Sequence, residues 1–283
     1  MKTNMIKNLK TLAVTLFALM PPLTIHAQKA AERDSICIEK LLQSGDTTTL
    51  YYARKFLGRP YANYTLEVND PEQLVVNTRQ LDCTTLVETV AALVLCAKDS
   101  LKTFADFKAK LQLLRYRGGV IDGYPSRLHY FSDWILDNTA MGFVTEVQQE
   151  GLPFSREQTL YIKFMSRYIH AYKALQKHRD FIPTIAAQED SLTGHKYRYI
   201  PKAQVKNSAA LRAVVRDGDI LAITCSTQGL DVSHLGFAVW KADGLHLLNA
   251  SSIHKKVVDE PMTLRQYLYK HPKFTGIRVV RML

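Results

Sequence analysis

The stretch Leu81-Asp82-Cys83-Thr84-Thr85-Leu86-Val87-Glu88 constrains this chain more than any other. From it, Leu86, Val87, Val90, Leu93, Val94 and Ala97 recur at helical spacing on one continuous apolar face, so a helix starting here has to be buried against something larger. Asp82 stands where an N-cap belongs. A cysteine just inside that cap meets unpaired backbone N–H groups and the positive end of the helix dipole, and both favour thiolate over thiol. Cys83 is therefore the candidate nucleophile. Cys96 belongs to the same run but sits at its far end, and reads as a small buried apolar residue.

With 283 residues, 47% of them hydrophobic and 22% charged, the chain can bury a full core as one domain carrying a large insertion. Lys2, Lys7 and Lys10, the apolar run Leu12 to Met20 and then Pro21-Pro22 and Ile25-His26-Ala27 have the order of a secretory signal peptide. Cleavage is expected after Ala27, giving a mature domain over 28–283 in the periplasm or otherwise exported, with no stable membrane insertion. Removing that leader lowers the formal charge of +11 to about +8. The remaining Lys and Arg are scattered without basic runs or interleaved aromatics, which argues against nucleic acid as a partner. Four cysteines, Cys37, Cys83, Cys96 and Cys225, are too few for a disulfide scaffold, and none forms a CxxC pair. No HExxH motif is present and the nine histidines are dispersed, so no metal and no other cofactor is expected.

Along the mature chain, Ala30 to Leu42 and Thr48 to Leu57 read as helices, the second ended by Gly58. A polar stretch with Pro71 leads into the cysteine helix. Thr103 to Arg115 forms another helix, with Asp106 in the capping-box position. Ser126 is placed to cap a short helix on which Arg127, Tyr130 and Trp134 share a face, and with Asp133 these are candidate ligand-reading side chains. Gly142 to Val147 predicts a strand, Ser155 to Gln158 a capping box opening a helix to about Gln176, and Asp180 to Lys202 a polar lid or surface connection.

The last third changes character. Ile220 to Thr224, Val232 to Trp240, Leu245 to Ala250, Lys255 to Val258 and Phe274 to Val280 are short β-rich runs divided by turn signals, which predicts an antiparallel sheet. Helices followed by hairpin-linked strands give an α+β fold with the cysteine helix laid on one sheet face. Within Ser233-His234-Leu235-Gly236-Phe237-Ala238-Val239, alternation puts His234 with the small Gly236 and Ala238. Paired with a capped cysteine, His234 is the leading base. Either His246 or Asn249, on opposite faces of the next strand, supplies the group that orients the imidazole.

Leu57-Gly58-Arg59-Pro60-Tyr61, Asp82-Cys83 opening an apolar helix, Gly218-Asp219-Ile220, His234-Leu235-Gly236-Phe237 and Leu248-Asn249-Ala250-Ser251 fall in the order seen in NlpC-type cell-wall cysteine peptidases. The chain resembles that superfamily over Leu57 to Cys96 and Asp217 to Ser252. The resemblance implies a papain-like fold with a large, mainly helical insertion at roughly 98–207. It also implies a triad of Cys83, His234 and Asn249, with Tyr61, Asp82 and Ser233 beside it as substrate contacts. The inserted aromatic segment is similar to that of a branch acting as N-acetylmuramoyl-L-alanine amidases on anhydromuropeptides. The partners so implied are peptidoglycan fragments, and an endopeptidase cutting within the stem peptide is the alternative.

Overall fold

The computed structural model describes residues 22–283. Most of the leader expected over residues 1–27 lies outside the described residues. The helices are α1 (Pro22–Leu42), α2 (Thr49–Arg54), α3 (Cys83–Lys98), α4 (Phe104–Arg115), α5 (Phe131–Ala140), α6 (Phe164–Arg167), α7 (Lys173–Lys177), α8 (Ile182–Leu192), α9 (Ala209–Val214) and α10 (Leu264–Lys270). The strands are β1 (Val144–Val147), β2 (Arg156–Thr159), β3 (Lys196–Pro201), β4 (Ile220–Cys225), β5 (Val232–Trp240), β6 (Leu245–Ser251), β7 (Lys256–Asp259) and β8 (Phe274–Met282). Among the described residues no helix is long and apolar enough to cross a membrane.

The strands form one antiparallel sheet in the order β2-β3-β8-β4-β5-β6-β7, with β1 also paired to β8. Alternation sorts the side chains onto two faces. Ile220, Ala222, Leu235, Phe237, Val239, Leu248 and Ala250 join α3 in the main core. Leu221, Ile223, Ala238, Leu247, Ile277 and Val279 face the other way, onto Leu211 of α9 and Leu264 and Leu268 of α10. The fold is therefore α+β, a sheet covered on both faces by helices. Helix α3 is buried on nearly all sides because α1, α2 and α4 cover what the sheet leaves open.

The insertion is not an appended helical lobe. It supplies β1, β2 and β3, and both β1 and β3 hydrogen-bond to β8. Its own small core gathers Tyr130, Leu160, Ile162, Met165, Leu175, Ile185 and Leu192. Two local expectations fail here. Ser155 to Gln158 opens no helix, since residues 156–159 pair with Lys196 to Tyr199 as a strand, a long-range partner outweighing a local cap signal. The segment 180–202 carries α8 and β3 where turns were expected, and Pro183 occupies the first turn of α8, where its missing N–H costs nothing.

Glycine is required inside β5. A Cβ on Gly236 would lie 2.7 Å from the Leu248 carbonyl oxygen and 2.7 Å from Leu247 Cδ1, so the gap beside the imidazole strand is closed by β6.

Candidate active site

At the start of α3 the Asp82 side chain accepts from the Thr85 backbone N–H at 2.8 Å, and the Asp82 N–H donates to Thr85 Oγ1 at 2.9 Å. This reciprocal cap fixes Cys83 as the first helical residue. Just before it, Leu81 N–H donates to the Pro60 carbonyl and Ala62 N–H to the Leu81 carbonyl, so Tyr61 is carried alongside the thiol. Burial, then the neighbouring Cys83 and Asp82, pushes the Tyr61 hydroxyl up to about 12.

The cap does not leave Cys83 as a thiolate. Burial, first, and the Asp82 carboxylate, second, push the thiol up to about 12, although the Leu235 N–H and the hydroxyl and N–H of Thr84, all near the sulfur, pull the other way. The expected dipole effect is outweighed chiefly by burial of the sulfur, to which the capping Asp82 adds a smaller push in the same direction. Cys83 therefore rests as a neutral thiol at neutral pH.

Strand β5 runs past the thiol, since the Leu235 amide that approaches the sulfur follows His234 directly, and the charge of Asp82, the residue before Cys83, acts on the imidazole. His234 is hydrogen-bonded to Asn249 of β6, Nε2 to Oδ1 at 3.0 Å. Because Asn249 Nδ2 donates to the Leu247 carbonyl at 3.4 Å, the oxygen faces the ring; Nε2 then carries the proton and Nδ1 keeps its lone pair. Burial holds the His234 pKa below the ordinary imidazole value, the Asn249 bond opposing it. No hydrogen bond joins Cys83 to His234. His246 is committed elsewhere, buried with Nδ1 on the Glu260 carbonyl and Nε2 on Asp243, each at 2.9 Å. Ser233 is exposed on β5 beside the imidazole, at the point where the β4–β5 register shifts.

Asp82 and Thr84, either side of the cysteine, line a cleft of about 160 Å³ whose other walls are Tyr64 to Glu67, Tyr124, Arg127 to His129 and Tyr172. Of the aromatic segment, only Arg127 among the predicted residues reaches it. Residues 124–126 form one 3-10 turn, the chain then runs extended, and helix α5 begins only at Phe131, so Arg127, Tyr130 and Trp134 share no face. Ser126 caps no helix; its Oγ donates to the Gly123 carbonyl. Tyr130 is buried in the insertion core with its hydroxyl on Glu189 at 2.6 Å. Asp133 pairs with Arg117, and Trp134, 1% exposed, stacks on Phe131 in the main core.

Sequence reasoning missed Tyr64, Glu67, Tyr124, His129 and Tyr172, which come from three distant segments. Tyr64 has one local signature in the structure and none in the sequence, a φ of 59°, a strained conformation for a tyrosine. Beneath the cleft Glu88 and Arg115, each 2% exposed, form a buried pair at 2.7 Å, and Arg115 also donates to the Val75 carbonyl. A second cavity of about 340 Å³, walled by 67–72, Tyr124 and Lys173 to Phe181, shares Glu67 and Tyr124 with the first. All four cysteines are free thiols, and among the described residues no three His, Cys, Asp or Glu side chains converge as metal ligands.

The family model described as AmiA-like, N-acetylmuramoyl-L-alanine amidase-like, matches residues 51–277. A Bacteroides uniformis structure named as an N-acetylmuramoyl-L-alanine amidase is 41% identical, covering 84% of this chain and 99% of that one, with a TM-score of 0.78. A Bacteroides fragilis structure, provisionally named a xylanase, is 40% identical over 82% of this chain and 100% of that one, with a TM-score of 0.77. A Legionella pneumophila protein at 23% identity, covering 93% and 97% of the two chains, shares the fold at a TM-score of 0.68. No curated protein sequence matches significantly.

Proposed function

The chain belongs to the AmiA-like family of N-acetylmuramoyl-L-alanine amidase-like proteins, and from that premise we propose that it is a cysteine hydrolase. Its substrate in this reading is the amide between N-acetylmuramic acid, in the anhydro form, and the L-alanine of a muropeptide. The observation that carries the proposal is the His234–Asn249 hydrogen bond on the strand whose next amide approaches the Cys83 sulfur. Such a unit needs a nucleophile, a base and an orienting acceptor, and these three residues supply one each. By the same reading the arrangement is a papain-like one, and residues 28–283 form a single exported catalytic domain.

The chemistry follows from the resting protonation states. The Cys83 thiol and the His234 imidazole are both neutral, so the thiol proton moves to Nδ1 as the sulfur attacks the lactyl carbonyl carbon. The Cys83 backbone N–H, which has no intrahelical acceptor at the first position of α3, donates to the oxyanion. His234 then passes that proton to the departing alanine amine as the C–N bond breaks. Water attacks the thioester, giving its proton first to His234 and through it to the leaving thiolate; the products are a muramic carboxylate and the free stem peptide. Asn249 holds the ring so that Nδ1 points at sulfur throughout. Tyr61 and Ser233 contact substrate beside the reacting bond, and Asp82 and Arg127 do so along the cleft.

Mass spectrometry of the products tests the reading. Anhydromuropeptide incubated with the protein is expected to give the free sugar acid and an intact stem with a new alanine amine. A shortened stem still joined to sugar would point to the endopeptidase alternative instead.

A further inference from the structure

Arg127 is 6% exposed and lines the cleft, yet its guanidinium makes no hydrogen bond to an acceptor among the described residues. Its Nε is wholly shielded and unpartnered. Two carboxylates stand near but out of hydrogen-bonding range, Glu67 Oε1 at 3.9 Å from Nη2 and Glu72 Oε1 at 3.8 Å from Nε. The guanidinium lies 4.9 Å over the Tyr124 ring, which fixes its plane and accepts none of its protons conventionally.

Charge and hydrogen bonding therefore disagree at this residue. The positive charge is already balanced. Burial raises the Glu72 pKa, but whether that group is ionised or not, Arg127 with Glu67 and Glu72 carries no net positive charge, and Asp82 on the same cleft adds a negative one. The donors, by contrast, are unspent. An anion entering here would meet carboxylates with no surplus charge to reward it, whereas a neutral oxygen would gain hydrogen bonds with no added repulsion. We propose that Arg127 reads neutral oxygen acceptors of the muropeptide, its amide carbonyls and sugar hydroxyls, and does not bind a stem carboxylate. This deepens the amidase reading and rests on it.

The test uses two anhydromuropeptides that differ only in whether the α-carboxyl of the second stem residue is free or amidated. Binding is measured calorimetrically on Cys83→Ala protein and turnover on the wild type. The two peptides should bind within about threefold of each other, and Arg127→Lys should weaken both by about tenfold or more, since lysine cannot reproduce a planar fork of donors. Glu67→Gln, which removes one negative charge from beside the guanidinium, should shift preference toward the free carboxylate by about fivefold. A wild-type preference of about tenfold for the free carboxylate, abolished in Arg127→Lys, would overturn the proposal. So would a folded Arg127→Lys protein that binds both peptides unchanged, or an unaltered preference in Glu67→Gln should the lysine variant fail to fold. Failure of the amidase reading looks different: wild type would cleave neither peptide at the alanine amide, whatever the binding pattern.

Discussion

One wall of the cleft is the start of α3, with Asp82, Thr84 and Glu88, and the other is the loop at 64–67 with Tyr124, Arg127 to His129 and Tyr172. The first is anchored in the main core, where Val90 and Leu93 of its helix are buried in one apolar cluster with Phe237 and Leu248 of the sheet. The second is irregular backbone with Tyr64 at positive φ; its Tyr124 and Tyr172 pack on the small insertion core, and in the neighbouring cavity Asp70 is clasped by Lys177 and His178. Reacting groups need fixed geometry, which apolar packing on regular elements supplies. Groups that fit a ligand need varied chemistry, which loops carry more freely.

If that division is correct, the largest effect comes from the first wall. Cys83→Ala should lower turnover on the order of a millionfold while the thermal midpoint hardly moves, because a small side chain at a half-open site leaves little cavity. Steady-state kinetics beside thermal unfolding would separate the two. Asn249→Ala should cost roughly 10²–10⁴-fold in kcat by freeing the ring. Its pH profile sharpens the point. The base works only when neutral, so a pKa held below the ordinary imidazole value places the acid limb of kcat/KM below pH 6.5 in the wild type. The Asn249 bond raises that pKa, so removing its oxygen should move the limb lower still; a limb that moves up would contradict the assigned tautomer.

The third change breaks the comparison from beneath. Glu88 lines the cleft and pairs with the buried Arg115, and Glu88→Ala leaves a guanidinium buried without its partner, an expected loss of about 3–5 kcal/mol in a denaturation experiment. The smallest effect belongs to the outer clasp. Lys177→Ala removes an exposed ion pair with Asp70, and stability should stay the same within measurement at any salt concentration.

The sequence made the first wall legible because its signals are local. The cap at Asp82 stands next to the cysteine it serves, its reciprocal bond to Thr85 appearing only in the structure, and alternation in β5 and β6 separates His234 and Asn249 from the apolar face that meets α3. It did not reveal which charge would dominate at the sulfur, since that depends on burial. The second wall was illegible for a different reason. Tyr64, Tyr124 and Tyr172 are far apart in the chain and come together only at the cleft, and the aromatic run at 124–134 was read with the wrong period because its helix starts late. His246 and Asn249 were equal by spacing; a turn aspartate and a backbone carbonyl decided between them.

The pairing of β1 and β3 with β8 bears on how such a protein can diverge. Residues 98–207 look in the sequence like a cassette open to excision or exchange. Cutting them out would strip the outer side of β8, leaving a bare row of amides and carbonyls ready to recruit a neighbouring chain into aggregates. The inserted segment is thus welded to the main sheet, and on the reading proposed above new specificities have to arise by substitution within it and not by wholesale replacement.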